Sequence, residues 1–233
     1  TSYEGIAKKL INGKFVIVGL PCHIQAFRQF AKLDIKFRES VIGFFSIYCS
    51  LNKTKLSTEY YLYRYGIEAK KLGTFAYRDN GCPGYMTFTN RDGKVIKQVP
   101  YLDFWMGTHN FFQNKRCSLC FDQFGELADI NFGDINIRPY NEDKVGVSSV
   151  VVRSKKWNEL FQEAVQDGYL SLEPLSKEDL LRSQHYVMSY KKGRGIAATL
   201  QLRKMFGKKN PINDEDLPKP GIIDYLKQTA NFI

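Results

Sequence analysis

Long apolar runs are what this sequence most plainly lacks. None reaches the roughly 18–20 residues needed to cross a bilayer as a helix, so no membrane span is expected in these 233 residues. Histidine is scarce, with three residues, and His109 and His185 have no metal-ligand spacing to each other. Zinc catalysis on histidine therefore has no support. No Gly-x-Ser-x-Gly elbow, P-loop or Gly-x-Gly-x-x-Gly fingerprint occurs, which removes three common signatures of catalysis and nucleotide binding. The chain opens on Thr1-Ser2-Tyr3-Glu4-Gly5, without an initiator Met and without the charged or apolar region of a signal peptide. That opening leads to the expectation of a cytoplasmic protein in processed or partial form.

Acidic residues are too few to balance the basic ones: 24 Asp+Glu face 34 Lys+Arg, a net charge of +10. Such a surface favours anionic partners, among them phosphates, acidic carrier proteins and polyglutamate tails. Residues 190–210 concentrate the excess, with Lys and Arg residues from Lys191 to Lys209 and no acidic residue. A solvated helix face is the default for such a stretch. No aromatic-plus-basic recognition motif accompanies it, so nucleic acid is not the expected partner. The five cysteines, with no export signal, point to thiols, metal ligands or core residues rather than a disulfide scaffold.

What is present reads as α/β. A short helix is expected over residues 2–12. Lys14-Phe15-Val16-Ile17-Val18-Gly19-Leu20 then reads as a buried strand bounded by Gly13 and Pro21. Pro21 suits the first turn of a helix over about residues 22–32, and a second apolar strand covers 41–48. This strand–helix–strand run fits a right-handed crossover between parallel strands. A helix over 54–65 leads to an antiparallel excursion over 70–99, with a turn at Asn90-Arg91-Asp92-Gly93. The aromatic group Tyr101, Phe104, Trp105, Phe111 and Phe112 is expected in the core. Further strands are expected at 128–132 and 147–152. The carboxyl-terminal part is helical, with Trp157, Leu160, Phe161 and Val165 at helical spacing. A long helical stretch over 177–205 follows, interrupted near Gly193 and Gly195. Residues 1–210 read as one domain and 211–233, with Pro211, Pro218 and Pro220, as a loosely packed tail.

Cys117-Ser118-Leu119-Cys120 is the sharpest local feature. Taken alone it fits half a zinc site, a corner of an iron–sulfur cluster, a redox dithiol or chance. Cys22 follows the first strand and Cys49 ends the second. If those strands are parallel neighbours, both cysteines reach the sheet edge where α/β proteins place ligands. Cys22 also sits at a helix start, whose free N–H groups favour anionic sulfur.

These residues resemble a known family. Gly19-Leu20-Pro21-Cys22-His23-Ile24-Gln25 is similar to the Gly-x-Pro-Cys-x-Ile-Gln segment of the coenzyme F420 hydrogenase/dehydrogenase beta-subunit family. Ile42-Gly43-Phe44-Phe45 through Cys49 resembles its second strand. Arg116-Cys117-Ser118-Leu119-Cys120-Phe121-Asp122, with Ala128-Asp129-Ile130 and Gly133-Asp134, resembles its Cys-x-x-Cys-x-Asp…Ala-Asp-Ile…Gly-Asp block. Gly146-Val147-Ser148 continues the likeness, which spans about residues 10–190.

The resemblance implies an iron–sulfur flavoprotein that passes electrons between a hydride carrier, such as the deazaflavin coenzyme F420, and one-electron carriers. Carried over by position, Cys22, Cys49, Cys117 and Cys120 become ligands of one 4Fe–4S cluster, while Cys82 matches no ligand and reads as a turn or core residue. His23 could donate a hydrogen bond to a cluster sulfur, or simply be satisfied at a helix start. Pro21 and His23 at the helix start, Gly133 and Asp134, and Gly146 and Ser148 are the candidate contacts of FAD, whose other side is expected from sequence upstream of this chain. A redox partner subunit or a ferredoxin would take the electrons, and the basic stretch 190–210 could bind flavin phosphates, a polyglutamyl tail or an acidic ferredoxin. The rivals are a flavin-dependent reductase of an organic metabolite within the family, and a zinc-bound or cofactor-free basic interaction module.

Overall fold

The computed structural model describes residues 13–108, 111–210 and 217–229. The helix expected over residues 2–12, His109 and Pro211 lie outside them. In chain order the strands are β1 (Phe15–Gly19), β2 (Val41–Ile47), β3 (Leu72–Asp79), β4 (Tyr85–Asn90), β5 (Val95–Pro100), β6 (Ile130–Asp134) and β7 (Ser148–Val152). The helices are α1 (Pro21–Leu33), α2 (Ile35–Ser40), α3 (Lys55–Arg64), α4 (Tyr101–Gly107) and α5 (Lys155–Gln166). They continue with α6 (Lys177–Ser183), α7 (His185–Lys191), α8 (Arg194–Met205) and α9 (Ile222–Thr229). This is the mixed α/β architecture read from the sequence. Among the described residues no helix is long and apolar enough to cross a membrane.

Contacts gather the chain into two compact units, where the sequence suggests one domain over 1–210. The first comprises Thr1–Ser50, Phe121–Asp134 and Ser148–Lys192; the second comprises Leu51–Cys120, Ile135–Val147 and Gly193–Ile233. The chain leaves and re-enters each unit without a Pro/Gly-rich linker to mark the crossing, so composition gives no boundary.

The first unit is built on a sheet of order β1-β2-β6-β7, in which β1, β2 and β6 run parallel and β7 is antiparallel to β6. The interior strand β2, Val-Ile-Gly-Phe-Phe-Ser-Ile, is close to continuously apolar, as a strand covered on both faces must be. Ile17 and Phe44 pair across β1 and β2 and pack with Ile24, Phe37 and Ala128. Ile17, Ile24, Phe37 and Phe44 each contribute about 1.5–3 kcal/mol by burial. Pro21 starts α1 where its missing N–H costs no hydrogen bond. Asp34 ends α1 and caps α2 by accepting from Phe37 N at 2.9 Å. Trp157 of α5 lies so close to Gly43 that a Cβ there would stand 2.4 Å from its ring, which is why this apolar strand carries a glycine. The helical stretch breaks at Gln184 as well as at Gly193. Gln184 is buried and donates to Asp134 O at 2.8 Å, a tertiary bond invisible in local sequence.

The second unit carries the antiparallel meander β3-β4-β5. The expected turn closes at Asn90, whose N–H donates to Lys94 O at 2.8 Å, with Gly93 at φ +79°. Met86, Phe88 and Val99 of the sheet pack with Tyr61 of α3 and Phe104 of α4. Tyr61 donates to Phe104 O at 2.5 Å and lies 2.9 Å from Thr108 Oγ1. Phe104 is core, as expected, but Phe111 is 64% exposed. It follows α4, beyond the helical face that fills the core. Within the expected tail, α9 packs on α8, with Thr199 and Gln228 hydrogen-bonded at 3.1 Å. The prolines obscure the helical spacing that begins at Ile222.

Candidate functional site

Because β1, β2 and β6 are parallel, their carboxyl ends share one edge of the first unit's sheet, and antiparallel β7 begins there. The topology therefore collects Pro21, Cys22 and His23 after β1, Cys49 after β2, Gly133 and Asp134 at the end of β6, and Ser148 at the start of β7. Seven of the ten candidate residues from the sequence lie along this edge. Cys22 is the second residue of α1, in a first turn where His23 N and Ile24 N donate to Leu20 O at 2.8 and 3.0 Å. His23 Nδ1 accepts from Leu20 N at 3.3 Å, half of a capping arrangement. Burial pushes its pKa down, which favours the neutral ring.

Cys49 is fixed through its main chain. Its N–H donates to Gln123 O at 3.3 Å, and its carbonyl accepts from Lys191 Nζ. The same Nζ donates to Asp122 O at 2.6 Å. Lys191 is only 2% exposed, so the expected solvated face does not extend to it. The burial follows from α7 ending against the Cys49 and Asp122 carbonyls. Lys192 bridges Glu126 at 2.5 Å and lies over the Phe121 ring. Burial, the largest influence, pushes the Asp122 carboxyl up, opposed by its hydrogen bonds and by Lys191.

Gly133 owes its identity to Tyr48. A Cβ there would lie 1.9 Å from the Tyr48 ring. The Tyr48 hydroxyl lies 2.9 Å from Ser149 Oγ, which donates to Gly133 O at 3.1 Å. Burial pushes the Tyr48 phenol up. Beneath the edge, Gln123 Nε2 donates to Gln184 Oε1 at 3.1 Å. Gln123 Oε1 and both amide atoms of Asn131 are buried without a hydrogen-bond partner, the usual signature of an ordered water or polar ligand. Tyr48, Ser149, Gln123 and Asn131 carried no local sequence signal, and Lys191 was visible only as part of the basic stretch 190–210.

In the second unit, Cys117 begins a single 3-10 turn and Cys120 follows it, with Cys120 N donating to Cys117 O at 3.1 Å. Asn52 N donates to Cys117 Sγ at 3.3 Å. Helix α8 packs against this turn. Cys82 lies in the β3–β4 turn, as read from sequence, with its Sγ 3.3 Å from Arg78 Nη2. Gly146, at φ +94°, lies beside it, a Cβ there coming 3.2 Å from Cys82 Sγ. All five cysteines are half-buried and free of disulfides. Among the described residues no three His, Cys, Asp or Glu side chains form a metal-binding group. Each unit offers two of the four candidate thiols, and soft sulfur donors suit iron in kind.

Residues 12–178 match the family model for the carboxyl terminus of the coenzyme F420 hydrogenase/dehydrogenase beta subunit. The chain is 25% identical over 201 residues to coenzyme F420 hydrogenase subunit beta of Methanosarcina barkeri, covering 83% of this chain and 62% of that protein. It is 27% identical over 162 residues to the protein of the same name from Methanococcus voltae, covering 67% and 51%. The chain thus spans less than two thirds of these relatives' length. In fold it is similar to a chain from the F420-reducing NiFe hydrogenase complex of Methanosarcina barkeri, with a TM-score of 0.60 at 20% identity, covering 90% of this chain and 70% of that one.

Proposed function

The chain belongs to the coenzyme F420 hydrogenase/dehydrogenase beta-subunit family, and from that premise we propose that it is an electron-transfer part of an oxidoreductase subunit, holding one 4Fe–4S cluster through Cys22, Cys49, Cys117 and Cys120 beside FAD. The observation that carries this reading is the arrival of Cys22 and Cys49, far apart in sequence, at the carboxyl ends of adjacent parallel strands, where α/β proteins seat ligands. When bound, the cluster supplies single-electron exchange and the flavin supplies hydride exchange.

This chain's residues prepare the ligands. The dipole at the start of α1 favours negative charge near Cys22, and the Asn52 N–H donates to Cys117 Sγ. The Gln123 and Lys191 bonds hold Cys49 in place. Pro21, His23, Gly133, Asp134 and Ser148 lie on the same edge as Cys22 and Cys49 and support a flavin there. The relatives' names favour coenzyme F420 as the hydride carrier, with a partner subunit or ferredoxin taking single electrons.

Anaerobic purification tests the reading. About four iron and four sulfide per chain, with broad visible absorption, are expected. Changing Cys22, Cys49, Cys117 or Cys120 singly to Ala should remove most of the iron, whereas Cys82→Ala should leave it. A colourless chain carrying zinc would overturn the reading.

A further inference from the structure

Glutamine is mostly a surface residue, yet Gln123 and Gln184 are both buried within the first unit. Gln184 stands where the helical stretch breaks, between α6 and α7. Its Nε2 donates to Asp134 O at 2.8 Å and lies 3.3 Å from Ser183 Oγ. Its Oε1 accepts from Gln123 Nε2 at 3.1 Å. The Asp134 carbonyl fixes the direction of these bonds, because it can only accept. The amide nitrogen of Gln184 therefore faces Asp134, its oxygen faces Gln123, and Gln123 turns its own nitrogen to that oxygen. The main-chain oxygen of Gln123 in turn accepts from Cys49 N at 3.3 Å, and Lys191 Nζ joins the carbonyls of Cys49 and Asp122. Residues 122–123 are thus the body to which Cys49 is fastened, and Gln184 fastens that body to the end of β6.

We propose that Gln184 is a positioning residue of the candidate site: one buried amide holds Cys49, through Gln123, and Asp134, directly, at a set separation along the carboxyl edge. The inference rests on the reading of Cys49 as a cluster ligand. Hydrogen-bond partners standing behind a metal ligand typically matter about 10–100-fold to metal affinity, because they fix where the ligand atom is presented. Hydrogen bonds are directional, so this relay specifies a geometry that apolar packing of similar volume would not.

Three full-chain variants, purified anaerobically, separate positioning from general stability. Gln184→Leu removes both bonds of the relay. Gln184→Glu keeps an acceptor for Gln123 Nε2 whether or not it is ionised. Phe37→Leu thins the core of the same unit, where Phe37 meets Phe27 and Phe30 of α1, and leaves the relay whole. Release of cluster iron to excess chelator should be at least about tenfold faster in Gln184→Leu, and within about threefold of the unaltered rate in Gln184→Glu and Phe37→Leu. An unaltered rate in Gln184→Leu overturns the proposal, as does equal acceleration in Gln184→Leu and either of the other variants. If Gln184→Leu never takes up the cluster, uptake by both other variants supports the proposal, and failure of either overturns it. Absence of iron and sulfide from the unaltered protein would sink the cluster reading itself, and the iron assay of that protein tells the two failures apart.

Discussion

In the unit built on the parallel sheet, Cys22 and Cys49 meet along one edge only because β1 and β2 pair in parallel register. In the unit built on the meander, Cys117 and Cys120 are neighbours on one turn. The first pair depends on long-range packing, and the second on a local turn to which Asn52 N adds a long-range bond at Cys117 Sγ. The same contrast runs through their supports. Cys49 is held by Gln123 and Lys191, distant in sequence, whereas the Cys117–Cys120 turn carries its own bond from Cys120 N to Cys117 O. A thiol site assembled by topology is therefore open to damage from core substitutions far along the chain, and one assembled by a turn is less so.

The largest expected effect comes from two glycines, one in each unit. Gly73 sits at a register shift in β3, and a Cβ there would stand 2.1 Å from the backbone oxygen of Asn90. Backbone cannot swing aside, so Gly73→Ala should cost more than about 3 kcal/mol, at or beyond the usual range for overpacking. Gly133→Ala collides instead with the Tyr48 side chain, which can move at the loss of its Ser149 bond and its edge contact with Phe124. Its cost should lie nearer about 1–3 kcal/mol. The two tryptophans, Trp105 in the second unit and Trp157 in the first, give separate fluorescence reports in single-tryptophan backgrounds. Urea titration should show Gly73→Ala moving the Trp105 signal more and Gly133→Ala the Trp157 signal. Coincident shifts for both would dissolve the contrast between the units.

A somewhat smaller effect is expected at Asp129. Its carboxylate accepts from Phe44 N at 2.7 Å and pairs with Arg28 at 2.9 Å, tying β2 to the residue before β6. Arg28 also lies over the Phe44 ring. Asp129→Ala should cost about 1.5–3 kcal/mol, the range for hydrogen bonds to a charged group, while Asp129→Asn should recover part of it. A loss below about 0.5 kcal/mol, within the range of ordinary surface substitutions, would mean that long-range staples matter less to the first unit than the contrast holds.

The smallest effect is one of pH and belongs to the second unit. Burial, the largest influence, raises the Tyr61 pKa above the usual 10. A raised folded pKa gives stability that is complete below the unfolded value and is lost as pH rises through the folded one. The unaltered protein should thus lose stability above about pH 10, where the tyrosine of the unfolded chain ionises, and Tyr61→Phe should flatten that alkaline limb. Equal slopes in the two proteins would show that the hydroxyl's bonds to Phe104 O and Thr108 do not govern it.

Much of the fold was legible in local pattern. β1 and β2 were legible to within about a residue of their ends, because apolar runs bounded by Gly, Pro or charge leave little choice for a buried strand. The Asn90–Gly93 turn and the Pro21 helix start were legible because Gly and Pro restrict φ directly. The Ala128-Asp129-Ile130 block was visible as a motif, but its reason was not: Ala128 and Ile130 are buried, and Asp129 staples a strand 85 positions away. The break at Gln184 escaped because its cause is a hydrogen bond to Asp134. The helix α9 escaped because three prolines dominated the reading of its surroundings.

By itself the sequence determined the order of the strands, the longer helices between them, the Asn90–Gly93 turn, the family and the set of four cysteines worth testing. All of these rest on interactions within a few residues or on motif order. Only the tertiary structure decided that β1, β2 and β6 share a carboxyl edge, that Lys191 is buried on the Cys49 carbonyl rather than solvated, and that Gly133 is a seat for the Tyr48 ring. The physical reason is that burial and charge environment are set by pairings such as Phe45 with Ile130 and Lys191 with Cys49, which bring together residues that the chain keeps far apart.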